Sequence, residues 1–333
     1  MPPLLTLFSA TKPFTNPHIA AIQRNAIRSW QQLGPEVQVV LIGNETGVAE
    51  TAAELGVLHL PQVENNALGT PLLNSIFELA RQVNDSPLLA YTNADMIYLP
   101  DFLATARRVM AQRSGRGLRS GRRPSSHFLI VGRRWDLDVE EELDFSPGWV
   151  ERMQARVDRD GKYHLPAGSD YFIFPRACYT DFPRFSVGRS GWDNWMIYYA
   201  RWQGWATVDA SADLRVIHQN HDYSHLPNNQ PHYHLPESVE NIRLAGGETS
   251  IFSLRDCNYR LVGGELQPAR LTWKRFWREV EIFPLIKLHS RLLGYLFYYL
   301  HHPVKGYVAL RHWVAVHLLH RNKSVVIADD KEG

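Results

Sequence analysis

The sequence predicts an α/β protein in which a mostly parallel sheet is covered by helices on both faces. Strand-like and helix-like segments alternate through the first hundred residues, as parallel sheets with crossover helices require. Residues 37–42 are mainly apolar and rich in valine, which is typical of a strand buried on both faces. Gly56 directly follows a short helical pattern and is expected to end that helix.

The predicted elements follow one another with short connections. In chain order they are a strand at 4–8, a helix at 18–33, a strand at 37–42, a helix at 48–55, a strand at 57–60, a helix at 71–83 and a strand at 88–91. A helix start follows at Pro100-Asp101, and further strands are predicted at 128–131, 171–174, 207–210 and 214–217. A helix is predicted from 191 to about 203, with Asp193 or Asn194 suited to cap it.

Composition excludes several classes of protein. The 333 residues carry a formal charge of only +2, which gives no general reason to expect nucleic-acid binding. The two cysteines are too few for a disulfide framework, so a reducing cytosol is expected. The N-terminus lacks signal-peptide features, and the apolar run at 292–300 is far shorter than the roughly 20 residues that cross a bilayer.

Positive charge is concentrated near the C-terminus. Residues 270–323 contain ten Lys/Arg and two Asp/Glu, interleaved with tryptophan, phenylalanine and leucine at helical spacing. We therefore predict a main domain at 1–265, a basic aromatic helical extension at 266–323 and a flexible tail at 324–333. The extension suits a helix lying at a membrane surface, and the alternative is a helical subdomain that packs on protein.

Short polar side chains follow the ends of the predicted strands. They are Ser9 and Thr11 after the first strand, Glu45 after the second, Thr70 before the third helix, and Asn93 and Asp95 after the fourth strand. Ligands of open parallel sheets bind at this edge, and a helix starting at 70–71 would direct N–H groups towards a phosphate. Neither a glycine-rich dinucleotide fingerprint nor a P-loop occurs, so a nucleotide would be held in another way.

Asp95 is the candidate metal ligand at this edge. A carboxylate near a diphosphate usually needs a cation between them, and Mg²⁺ or Mn²⁺ would serve. The alternative is a structural one, in which Asp95 and Asn93 form an ordinary turn.

A histidine-rich stretch follows the strand predicted at 214–217. His218 lies next to the strand and is expected to complete a metal site with Asp95. His221 and His225 are either surface residues or, with His218, members of a zinc site whose spacing fits no familiar signature. Residues 113–126, rich in Gly, Ser and Arg, are expected to form a surface loop, and a role in binding phosphate is the alternative.

Two further acids have candidate roles beside aromatic residues. Asp193 begins a predicted helix between tryptophans, where burial could tune it as a general base, while Trp192 offers a face for a sugar ring. Asp170 is a candidate acceptor-binding residue. The structural alternative is a helix cap with core tryptophans, and a cap or turn for Asp170.

Four segments in this order resemble glycosyltransferases of the GT-A fold. They are TNAD (92–95), GSDYFIFPR (168–176), GWDNW (191–195) and VIHQNHDYSH (216–225). The resemblance covers about residues 4–225, and more narrowly the segments resemble a little-described bacterial group of such transferases. It implies a metal-dependent, hexosyltransferase-like enzyme that uses a UDP- or GDP-sugar and Mn²⁺ or Mg²⁺. The family's Asp-x-Asp motif corresponds to Asn93-Ala94-Asp95, with asparagine in place of the first aspartate.

The same resemblance assigns roles to single residues. Asp95 and His218 would hold the metal, and Asp193 would deprotonate the acceptor hydroxyl in an inverting enzyme. Ser9, Thr11, Glu45 and Thr70 would line the nucleotide pocket. The acceptor would be a glycan or a lipid-linked molecule, and the enzyme would be cytoplasmic, peripheral to the inner face of the membrane.

Two other functions stay open at this stage. A nucleotidyltransferase shares the parallel sheet and the metal, but it usually has a basic glycine-rich loop after the first strand, which is absent from this sequence. A non-catalytic glycan-binding protein on a transferase-like fold would tolerate asparagine at position 93.

Overall fold

The computed structural model describes residues 2–114, 126–167, 169–221 and 235–317. Most of the predicted loop at 113–126 lies outside this range, as do His225 and the predicted C-terminal tail. The chain divides into two compact units, Met1–Ala269 and Arg270–Gly333.

Strands and helices alternate from the N-terminus to the fourth strand, and later strands come in pairs between helices. The strands are β1 (Leu5–Ser9), β2 (Val37–Ile42), β3 (Leu58–Leu60), β4 (Leu88–Thr92), β5 (Met96–Tyr98), β6 (Phe128–Val131), β7 (Trp135–Leu137), β8 (Lys162–Tyr163), β9 (Tyr171–Pro175), β10 (Ala206–Asp209), β11 (Val216–Gln219), β12 (Tyr259–Val262) and β13 (Glu265–Pro268). The helices are α1 (Pro17–Gln31), α2 (Val48–Leu55), α3 (Leu73–Gln82), α4 (Asp101–Ser114), α5 (Trp149–Asp160), α6 (Trp192–Trp202) and α7 (Pro236–Ala245).

The main sheet is mostly parallel, as predicted. Its order is β13-β12-β10-β6-β9-β4-β1-β2-β3, and within it only β9 and β13 run against the other strands. The chain moves outward from β1 to β2 and β3 and then returns to the other side of β1 at β4. This reversal between β1 and β4 is the position at which open α/β sheets bind ligands.

Helices cover both faces of the main sheet. The apolar side chains of β1 point alternately to the two faces and pack against a different helix on each. Leu5 and Leu7 belong to the core cluster that includes Ala26, Ile27 and Trp30 of α1. Phe8 points the opposite way and meets Phe77 of α3 edge-on, with ring centroids 5.2 Å apart. The predicted fold class, an α/β sheet covered on both faces, is confirmed.

A second, four-stranded sheet lies in the same unit and was not predicted as a sheet. Its order is β5-β11-β7-β8, with β5 following β4 after a turn of three residues. β5 and β11 are antiparallel, and β11 and β7 are parallel. Its packing core includes Ile97, Ile217 and Trp149.

One predicted helix start is wrong by two residues, and one predicted helix cap is wrong. α3 begins at Leu73 rather than at 71, because the N–H of Leu72 donates to Glu64 and that of Leu73 to Phe185. α6 is capped by Gly191, at φ 103°, so Asp193 lies inside its first turn and does not cap it. A Cβ atom at position 191 would lie 3.2 Å from Cγ1 of Ile242 on α7, which is a tight contact, and the positive φ favours glycine there.

The described part of the second unit, residues 270–317, is mainly helical. It contains α8 (Trp273–Ile286), α9 (Arg291–His301) and α10 (Pro303–His317). Thr272 and Ser290 cap α8 and α9 through their side chains. No helix in the described ranges has the length and apolarity needed to span a bilayer.

Candidate metal and nucleotide site

Asp95 lies at the reversal point of the main sheet, in the turn between β4 and β5. The turn is fixed from two sides, since Trp30 Nε1 donates to the carbonyl of Met96 at 2.8 Å and the N–H of Gln219 donates to that of Asp95 at 3.1 Å. The second bond extends the pairing of β5 with β11, in which His218 stands opposite Met96. The two sheets therefore bring Asp95 and the end of β11 together.

Asp95, His218 and His221 form a cluster that could hold a metal ion. The Oδ2 atom of Asp95 lies 3.1 Å from His221 Nε2 and 3.8 Å from His218 Nε2. One potential ligand atom from each residue lies within 4.8 Å of the others. The predicted pairing of Asp95 with His218 is observed, and His221, which sequence reasoning left undecided, joins it.

Positive charge surrounds the Asp95 carboxylate. Burial alone would raise the pKa of Asp95, but the charges of His218 and Lys12 and a hydrogen bond from His221 hold it well below its usual range. Lys12 follows β1, and its Nζ lies 3.1 Å from His221 Nε2. Lys12 lies at the end of the first predicted strand, but sequence reasoning gave it no role.

The donor set fits a divalent transition metal. Asp95 Oδ1 is buried and makes no hydrogen bond to any described residue, so one carboxylate oxygen is available to a cation. Two imidazoles and a carboxylate suit Mn²⁺ better than Mg²⁺, because Mg²⁺ prefers an all-oxygen octahedral shell. The three residues would leave positions for oxygen atoms of a ligand.

Two of the predicted nucleotide-binding residues also have unpaired polar atoms. Thr11 Oγ1 and Glu45 Oε2 are buried and have no hydrogen-bond partner among the described residues. Burial raises the pKa of Glu45, against backbone hydrogen bonding and the charge of His59. Buried polar atoms are normally paired, so these two unpaired atoms leave hydrogen-bonding capacity at the strand edge.

The other two predicted pocket residues are used within the protein. Ser9 is fully buried, and its hydroxyl donates to the carbonyl of Thr92 at 2.7 Å, tying β1 to β4. Thr70 hydrogen-bonds through its side chain to Glu237 of α7. Since the N–H groups of Leu72 and Leu73 also bond to carbonyls, those two N–H groups are not available to a phosphate.

Asn93 and Asp170 bind each other rather than facing the cluster separately. Asn93 Nδ2 donates to Asp170 Oδ1 at 2.9 Å, and Arg134 Nη1 lies 2.5 Å from Asp170 Oδ2. Both oxygens of Asp170 are thus engaged, which favours a positioning role over direct contact with an acceptor. The asparagine at 93 has a physical reason, because an aspartate there would set two carboxylates against each other.

Asn93→Asp, which recreates an Asp-x-Asp motif, is expected to destabilise the protein without tightening Mn²⁺ binding. The new carboxylate would face Asp170 and lose the donated hydrogen bond, at a cost of about 1–3 kcal/mol. Because protonation would relieve the repulsion, the loss should be larger at pH 8 than at pH 5 in urea unfolding. Asn84→Asp is the control, since Asn84 Oδ1 already accepts from Thr6 and Ser86. Tighter Mn²⁺ binding at unchanged stability would show that position 93 faces the metal.

Asp193 is half-buried in the first turn of α6. Burial raises its pKa to about 6, opposed by backbone N–H groups and assisted by the charge of Asp170. A carboxyl with this pKa can accept a proton near neutral pH. Trp192 is only 5 % exposed and packs against Tyr91 and Phe172, so it lies in the core and presents no open face to a sugar.

Comparisons with known proteins return structures but no sequence relatives. No protein-family profile and no curated protein matches the chain. Similar solved structures include the mannosyltransferase PcManGT from Pyrobaculum calidifontis in complex with GDP-Man and Mn²⁺, at 11% identity and a TM-score of 0.38. Another is residues 1–349 of TarS from S. aureus, at 11% identity and a TM-score of 0.36. The matches cover 65% and 66% of this chain, and 57% and 59% of those chains.

Proposed function

We propose that this protein is a metal-dependent glycosyltransferase that moves a sugar from a UDP- or GDP-sugar to a hydroxyl of a glycan or lipid-linked acceptor. The observation that carries the proposal is the meeting of Asp95, His218 and His221 at the reversal point of a mostly parallel sheet. A nucleotide diphosphate bound there would lie against a divalent cation, as the resemblance implies.

The metal would neutralise the diphosphate as it leaves, which is the chemistry that a bound Mn²⁺ supplies. Asp95, His218 and His221 would hold it. Lys12 adds a positive charge to the same site and is suited to the diphosphate oxygens. Thr11 and Glu45 would contact the nucleoside with their unpaired polar atoms.

Asp193 would act as the general base. Its carboxylate would take the proton of the acceptor hydroxyl while that oxygen bonds to C1 of the sugar. The bond from C1 to the diphosphate oxygen breaks, and its electron pair leaves with the diphosphate. Asp170 supports this role electrostatically, because its charge contributes to the raised pKa of Asp193.

A thermal-shift titration tests the proposal. Mn²⁺ is combined with UDP, GDP and CDP, and one diphosphate is expected to raise Tm only when the metal is present. Incubation with the matching nucleotide sugars should then release the nucleoside diphosphate. Release of pyrophosphate from a nucleoside triphosphate and a sugar phosphate would instead indicate a nucleotidyltransferase. Stabilisation by glycans but by no nucleotide would indicate the non-catalytic alternative.

The second unit is proposed to contact an anionic membrane surface. Leu292, Leu296 and Leu300 recur every four residues on α9, and Leu292 is 81% exposed. Trp273 on α8 is 73% exposed, beside the basic Lys274. Exposed leucine and tryptophan among basic residues suit an interfacial helix that inserts its apolar face among anionic headgroups. This contact would place the enzyme at the inner face of the membrane.

Flotation with lipid vesicles is expected to recover the protein with phosphatidylglycerol vesicles and not with phosphatidylcholine. Binding should weaken with salt and fall at least about tenfold in the Leu292→Ser/Leu296→Ser variant, since each leucine adds roughly 1.5–3 kcal/mol when fully buried. Leu165→Ser is the control, because Leu165 is comparably exposed, at 70%, in the first unit. Equal recovery of both variants, or no binding at low salt, would refute the membrane contact.

A further inference from the structure

We infer that Asp136 is a positioning residue that fixes His218 as a metal ligand through the Nε2 atom. The inference rests on the proposed metal site and extends it to a residue outside the three ligands. Asp136 lies on β7, and the parallel pairing of β11 with β7 places it directly opposite His218. Sequence reasoning gave it no role.

The strand order of the second sheet brings two acids and two histidines close to one another. Asp95 precedes β5, His218 lies on β11, Asp136 on β7, and His164 follows β8, which are consecutive strands in the sheet. His218 Nδ1 lies 3.3 Å from Asp136 Oδ1, while its Nε2 faces Asp95 at 3.8 Å. The imidazole therefore lies between two carboxylates, one on each nitrogen.

This geometry selects one tautomer of His218. A carboxylate beside Nδ1 favours a proton on that nitrogen, which leaves the lone pair of Nε2 for a cation next to Asp95. Histidines that bind metals commonly donate their second nitrogen to a carboxylate in this way, and the partner also fixes the orientation of the ring. Among the described residues, the buried Nδ1 atom of His218 completes no hydrogen bond, and Asp136 Oδ1 approaches it at 3.3 Å.

Asp136 is itself held in place. His164 Nδ1 lies 2.7 Å from Asp136 Oδ2, and Arg134 Nε donates to Oδ1 at 2.8 Å. Arg134 also reaches Asp170, so the same guanidinium orients Asp136 on the metal side and Asp170 near Asp193. A fixed carboxylate can impose its orientation on His218, whereas a mobile one could not.

Mn²⁺ binding by Asp136→Asn tests the inference without relying on activity. Mn²⁺ affinity is measured by electron paramagnetic resonance, and the d–d absorption of bound Co²⁺ reports the coordination geometry. The affinity is expected to fall about 10–100-fold, with a changed Co²⁺ spectrum. Asp158→Asn is the control, because Asp158 is an exposed acid on α5 whose ion pair is with Arg215. That control should bind Mn²⁺ like the wild type.

The outcomes separate this inference from the proposed function. If His218→Ala loses Mn²⁺ while folded Asp136→Asn keeps its affinity within twofold, the positioning role is wrong and the metal site stands. If Asp95→Asn and His218→Ala both bind Mn²⁺ normally, the metal site itself is wrong. Should Asp136→Asn fail to fold, Asp136→Glu keeps the charge for Arg134 but displaces the carboxylate. It is expected to weaken Mn²⁺ binding at least about threefold, and an unchanged affinity would overturn the inference.

Discussion

Asp95→Asn is expected to abolish Mn²⁺-dependent nucleotide binding and to lower kcat/KM for sugar transfer by at least about a thousandfold. The asparagine keeps the volume of the side chain but removes the charge. Asp95 supplies the only carboxylate of the Asp95-His218-His221 cluster. Without it, two imidazoles and the nearby lysine would offer a cation no negative charge.

The substitution has a control at the opposite end of β4. Asp85 is an exposed acid just before β4, at the opposite end from Asp95. Asp85→Asn removes the same charge and should leave release of the nucleoside diphosphate unchanged. Circular dichroism of both variants checks that they fold. Full activity of folded Asp95→Asn would show that the metal, if any, binds elsewhere.

Asp193→Asn is expected to reduce kcat by about 10²–10⁴-fold while leaving Mn²⁺ and nucleotide binding intact. The amide cannot take the acceptor proton, but it fits the same position in the first turn of α6. Steady-state kinetics with saturating donor, together with thermal shifts by Mn²⁺ and nucleotide, separate the two effects. A variant that loses donor binding as well would contradict a role confined to proton transfer.

The raised pKa of Asp193 determines the direction in which activity and stability change with pH. The pKa of Asp193 is raised to about 6, so kcat/KM of the wild type should rise with pH and level off above that value. The native state holds the proton more tightly than the unfolded chain, so this group makes stability fall as pH rises from about 4 to about 6. Asp193→Asn should therefore be more stable than the wild type at pH 8, by on the order of 2 kcal/mol, and equal to it near pH 4.

Urea unfolding at pH 4 and pH 8 measures that difference. Asp181→Asn serves as the control, since Asp181 is an exposed acid between β9 and α6. A stability gain of the same size at both values of pH would mean that Asp193 is not destabilised by its charge. The assignment of Asp193 as a tuned base would then fail.

The fold was predictable where local pattern decides structure. β2, α2 and β6 begin and end at the predicted residues, because β-branched runs and the left-handed Gly56 are local signals. The second sheet escaped prediction because its members are short. β5 and β7 have three residues each and β8 has two, too few for a period to be recognised.

The site was predictable in part for the same reason. Asp95 and His218 each follow a strand that the sequence predicts, so both could be placed at an edge, although β11 in fact runs from Val216 to Gln219 and includes His218. His221 and Asp136 could not, since their positions depend on how β11 pairs with β5 and β7. The roles of Asn93 and Trp192 also depend on contacts between distant segments. Asn93 binds Asp170 and Trp192 packs against Tyr91, and neither partner can be inferred from spacing in the sequence.

Isothermal titration of GDP and UDP into the Mn²⁺-loaded protein and its His218→Ala/His221→Ala variant tests the central claim most directly. The account predicts that one of the two nucleotides binds the wild type in a metal-dependent manner. It predicts that the double variant, folded as judged by circular dichroism, loses that binding at least about a hundredfold. Equal affinity of the folded double variant and the wild type in Mn²⁺ would contradict the account, because the histidines would then hold no metal between protein and nucleotide.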